Sequence, residues 1–120
     1  MEKQNLLEQL GKKLQQRKAV NSLNLGTNEL FIDASFEYIK DISIKVCNNA
    51  LDMVTQINLT VISVDRRIPE ETFNIYPHEF DTEAKLLSIL FGRITTYNRK
   101  TGQEIEALRR QLNLFGDNNE

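Results

Sequence analysis

The residues able to do acid–base, nucleophilic or metal chemistry are few in this 120-residue chain, and they do not gather. His78 is the only histidine, set between Pro77 and Glu79. No nucleophile stands near it in sequence for a histidine base to activate, so it reads as a surface residue. Cys47 is the only cysteine, which removes any intrachain disulfide; at the end of an apolar run it reads as a small core residue rather than a reactive thiol. One histidine and one cysteine offer no metal-ligand spacing. Glu70-Glu71 and the pair Asp81 and Glu83 read as loop and first-turn helix acids. No phosphate-binding loop, dinucleotide fingerprint or zinc-finger spacing occurs. Neither a catalytic residue nor a cofactor is expected, and the chain reads as a non-enzyme.

Charge offers one further candidate. Lys12, Lys13, Arg17 and Lys18 cluster near the N-terminus and form a possible nucleic-acid contact. No aromatic residues interleave with them to stack on bases, and the net charge of −2 leaves no global electrostatic footprint for nucleic acid. A solvated helix face explains the cluster as well, so any role at DNA is expected to be indirect. Apolar residues at 40% and charged residues at 27% fit a soluble globular protein. With no long apolar run, no signal-peptide layout and no disulfide, the expected location is cytoplasmic, away from membranes.

The elements that would carry these residues can be read from periodicity. Leu6, Leu7, Leu10 and Leu14 share one stripe of a helix over about 2–19. Residues 21–28 read as a polar connection, and Leu30-Phe31-Ile32 as a first strand. Period-two alternation through Phe36, Tyr38, Ile42, Ile44 and Val46 predicts a half-buried strand, and β-branched Ile57–Val64 another, with a bulge or two covered faces. Residues 50–56 read as a loop or a short helical turn, and Thr72–Tyr76 as a further extended piece. Asp81 is the expected cap of a strong amphipathic helix through Leu86, Leu87, Leu90, Phe91, Ile94 and Tyr97, in which Gly92 marks close packing. Asn98-Arg99-Lys100 closes it, and Thr101 with Glu104 forms a capping box for a further helix. The expected fold is α+β: an N-terminal helix, a small antiparallel sheet and two C-terminal helices in one domain over residues 1–110, with 111–120 as a tail. An all-α bundle, with 35–57 helical, is the alternative.

That tail carries the most specific string in the chain, Gln111-Leu112-Asn113-Leu114-Phe115. It resembles the QL[S/D]LF peptide by which bacterial replication and repair proteins dock on the β sliding clamp. The resemblance covers five residues and departs at the middle position, where Asn113 keeps the size and polarity of Ser or Asp. It implies an extended peptide: Leu114 and Phe115 fill an apolar groove, Leu112 packs nearby, and Gln111 makes polar contacts at the groove's other end. By this resemblance the partner is a bacterial clamp, and the chain is an accessory or inhibitory factor of bacterial or phage DNA replication or repair, without catalysis of its own. A phage or mobile-element source fits its small size. A homo-oligomer would engage two grooves of the ring at once. The competing reading treats Ile105, Leu108, Leu112 and Phe115 as a core-facing or oligomer-forming helix seam at 3-4-3 spacing. Whether the helix stops before Gln111 or runs through it separates the two.

Overall fold

The computed structural model of the protein describes residues 3–16, 20–24, 29–33 and 36–117. Helix α1 spans Lys3–Gln16. Five strands follow, β1 (Val20–Asn24), β2 (Glu29–Asp33), β3 (Ile39–Asn48), β4 (Val54–Ser63) and β5 (Glu71–Ile75). A 3-10 turn at Pro77–Glu79 leads into α2, Glu83–Asp117. The strands form one antiparallel sheet in the order β1-β2-β3-β4-β5, so each is bonded to its neighbours in sequence. This is α+β architecture, and the all-α alternative is excluded.

Both helices bury their apolar stripes on one face of the sheet. Leu6, Leu7, Leu10 and Leu14 of α1 and Leu86, Leu87, Leu90 and Ile94 of α2 are essentially inaccessible. They meet Ile42, Ile44 and Val46 of β3 and Ile57, Leu59 and Val61 of β4 in one cluster. The opposite face carries Ser43, Lys45, Asn58, Thr60 and Thr72, as the two-residue period of a one-sided sheet requires.

Several expectations need correction. The stretch expected as a polar connection contains strand β1, whose five residues VNSLN show too little alternation to be read as a strand. In β3 the buried set begins at Ile39 rather than with Phe36 and Tyr38, because the register slips between Ile39 and Asp41 and turns Ile39 inward. Beyond Val61, β4 simply alternates: Ser63 points in, while Ile62 is half-buried and Val64 exposed. Cys47 is not core; it is half-buried on the outer face, with Asn58 Nδ2 at 3.5 Å and Gln56 Nε2 at 3.9 Å from its sulfur. Of the two readings of 50–56 the loop holds for the first part, since residues 49–53 form a hairpin turn, while Val54–Gln56 already belong to β4. The Asn49 side-chain oxygen accepts from the N–H of Leu51 and of Met53, and Asp52 takes φ 62°. At the start of α2 the capping oxygen is that of Thr82, which accepts from the Lys85 N–H at 3.2 Å, and not that of Asp81. Gly92 is exposed, with open space where a Cβ would stand, so it marks no close packing.

The largest difference is at 98–104, where one continuous helix replaces the two expected. The residues that resemble a break are used sideways. Asn98 Oδ1 accepts the Tyr38 N–H at 3.0 Å, Thr101 is only 2% exposed, and Gly102 lies against the Tyr38 ring. No proline interrupts the helix, and a glycine inside it costs only about 1 kcal/mol. Its 35 residues make a rod of about 52 Å at 1.5 Å per residue, which accounts for most of the molecule's 64 Å long axis.

Candidate partner-docking site

Burial falls away along α2 toward its C-terminal end. The stripe Leu86, Leu90, Ile94, Tyr97, Thr101 and Ile105 is buried, Leu108 is half-buried, and Leu112 is 58% exposed. The sheet ends before the helix does, so the seam expected from 3-4-3 spacing loses its partner inside the monomer. Gln111 and Leu112 therefore stand on an accessible helix face, and Asn113, Leu114 and Phe115 continue the backbone of the same helix to Asp117. Leu112 does not belong to the core. Of the basic cluster, Lys12 is exposed and Lys13 half-exposed on α1, whereas Arg17 and Lys18 lie outside the described residues.

A cleft of about 530 Å³ opens beside this end of α2. Ile105, Arg109 and Leu112 line one side; Glu37 and Tyr38, which lead into β3, and Val64–Arg67, which follow β4, line the other. Neither Lys12 nor Lys13 is part of it. The turn after β4 is held by its own chemistry. Ser63 Oγ accepts the Asp65 N–H at 3.0 Å, and Asp65 Oδ1 accepts the Arg67 N–H at 2.9 Å. The Arg67 guanidinium closes a bidentate pair on Asp65, at 3.0 Å and 2.6 Å. Arg67's hydrogen bonds hold the Asp65 carboxyl down at about 2, below the ordinary carboxylate range. Farther along, the Tyr97 hydroxyl donates to Pro69 O at 3.1 Å and ties the same loop to α2.

The cleft's charges are unequally satisfied. Asp65 is paired with Arg67, and Glu37 lies near enough to the Tyr38 phenol for its charge to act on it. Partial burial raises the Tyr38 pKa, and the negative charge of Glu37 adds to the effect, so the phenol stays protonated. Arg66 and Arg109 are exposed, and among the described residues neither has a carboxylate within ion-pair distance. Val64, at 52% exposure, faces Leu112 across the same space. The sequence pointed to Leu112 but not to Tyr38, Val64, Arg66 or Arg109. These come from three separated segments, and Asp65-Arg66-Arg67 reads in one dimension only as a strand terminator.

Among the described residues no cluster of three or more His, Cys, Asp or Glu could hold a metal ion, and no helix is long and apolar enough to cross a membrane. His78 is exposed and stacks on Tyr76, with ring centroids 6.0 Å apart. No protein-family model, curated protein or solved structure matches the chain.

Proposed function

We propose that the protein is a non-enzymatic accessory or inhibitory factor of bacterial or phage DNA replication or repair, which docks on the β sliding clamp through Gln111–Phe115. The observation that carries this reading is the exposure of Leu112, which frees it from any packing duty in the monomer. Clamp-binding peptides of this type are extended, so docking requires the last turns of α2 to unwind. Helix propagation is worth about 0–0.3 kcal/mol per residue, so releasing residues 111–117 costs at most about 2 kcal/mol. Burying Leu112, Leu114 and Phe115 in a groove returns roughly 5–8 kcal/mol gross. A micromolar complex needs about 8 kcal/mol net, so after unwinding, ordering and immobilisation the apolar burial alone gives no better than about millimolar affinity, and the polar contacts of Gln111 or engagement of two grooves at once must supply the rest.

The continuity of α2 through Asp117 favours a second reading, in which the projecting helix pairs with another helix through Leu108 and Leu112. One titration separates them. The full chain and a peptide of residues 107–120 are measured against a bacterial clamp, with Gln111→Ala and Leu114→Ala/Phe115→Ala versions of each. Saturable binding that the substitutions abolish supports docking. Silence from both chain and peptide, with a concentration-dependent dimer in sedimentation, supports the helix pair.

A further inference from the structure

We infer that the cleft between the distal half of α2 and the β3–β4 ends captures a short acidic segment of a second protein, anchored by an apolar side chain between its carboxylates. Two features of the cleft select that chemistry. Val64 and Leu112, two of the exposed large hydrophobic residues, line the cleft together with the buried Ile105, so its largely polar lining contains an apolar floor. Arg66 and Arg109 flank it as exposed cations with no carboxylate in ion-pair contact among the described residues, although the charge of Arg109 is also felt at Asp65, on which Arg67 is spent. The cleft volume of about 530 Å³ lies within the ~300–1,000 Å³ typical of ligand clefts. Guanidinium groups pair with carboxylates in bidentate geometry, and their position beside an apolar floor matches a Leu or Phe flanked by Asp or Glu.

Nucleic acid fits less well. Among the described lining residues Tyr38 is the one aromatic ring on which a base could stack, whereas binding of single strands relies on successive bases stacking on several rings. The site goes beyond clamp docking: the same end of α2 would serve the clamp through the tail and a second partner in the cleft, each weakening the other. Leu112 belongs to both surfaces, so the test relies on Val64, Arg66 and Arg109, which lie outside the clamp motif. A failed clamp titration therefore leaves this inference standing, and the reverse also holds.

The experiment is an array of short peptides, each carrying Leu or Phe flanked by zero, one or two Glu on either side, probed with the labelled full chain. Binding should rise with Glu count and fall with added salt. Arg66→Glu, Arg109→Glu and Val64→Asp should each weaken it by about tenfold or more, with circular dichroism unchanged because all three positions are exposed. Binding that ignores Glu count or these substitutions, or an array silent throughout, overturns the inference. So does a single-stranded oligothymidylate that competes the peptides off, which would make the cleft a nucleic-acid site. A chain that sediments as a dimer until Val64→Asp makes it a monomer also overturns it, since the occupant is then a second copy.

Discussion

Two glycines of α2 make opposite predictions for the same substitution. Gly92→Ala places a methyl group in open space on an exposed helix face, where the only change is the gain in helix propensity, about 0.8–1 kcal/mol of stabilisation. Gly102→Ala gains the same propensity, but its Cβ would stand 2.7 Å from Tyr38 Cδ2. The Tyr38 backbone is held by its N–H bond to Asn98 one turn earlier on the helix, so relief must come from turning the half-buried ring out of its seat. Overpacking of this kind costs about 1–3 kcal/mol, so Gly102→Ala is expected between neutral and about 2 kcal/mol destabilised. The propensity gain cancels in the difference between the two variants, which should equal the steric cost alone. Urea unfolding of both proteins measures it, with the slope of the transition checked for constancy. Adding Tyr38→Ala to Gly102→Ala should recover most of the loss, a coupling that a double-mutant cycle reads directly. If both alanines stabilise equally, Tyr38 does not seat on Gly102, and the explanation for the unbroken helix fails with it.

Other consequences follow from the same contacts. Asn49→Ala removes the acceptor that holds two N–H groups of the β3–β4 turn and should cost about 1–2 kcal/mol by urea unfolding. Asp65 has a folded pKa of about 2, below the ordinary value of about 3.9, so its contribution is present above that ordinary value. It is lost as pH falls from about 4 to about 2, and Asp65→Asn should flatten acid unfolding in that window. A chain ending at Arg110 should lose at most about 2 kcal/mol of stability, the propagation energy of the removed turns, because Gln111 and Leu112 are exposed; a larger loss, of several kcal/mol, would place the C-terminal segment in the core after all. Because Leu112 lines the cleft and also belongs to the clamp motif, saturating clamp should weaken peptide capture in the cleft, and saturating peptide should weaken clamp binding by the same factor. Competition titrations in both orders check that reciprocity.

Strong, local periodicity was legible in the sequence. The α1 stripe, β2, the alternation of β3 and β4, the extended piece near Thr72 and the apolar face of α2 all follow from side chains spaced to fit one face of one element. The resemblance of the C-terminal pentapeptide to a docking peptide likewise rests on adjacent residues alone. What misled was residue chemistry with two uses. Asn98, Thr101 and Gly102 are residue types that end and cap helices, yet here Thr101 is buried, Asn98 and Gly102 receive Tyr38 from the turn before β3, 60 residues from Asn98, and the helix stays intact. Thr82 rather than Asp81 caps α2, and Gly102 rather than Gly92 is the close-packed glycine; both choices rest on distances that no local pattern encodes. The cleft belongs to the same class. Tyr38, Val64, Arg66 and Arg109 converge because the β3 and β4 ends meet a helix that fails to stop. The sequence by itself determined which faces are apolar and which five residues resemble a docking peptide; only tertiary packing decided that α2 runs on past the sheet, because the groups that would have ended it are satisfied by another part of the chain.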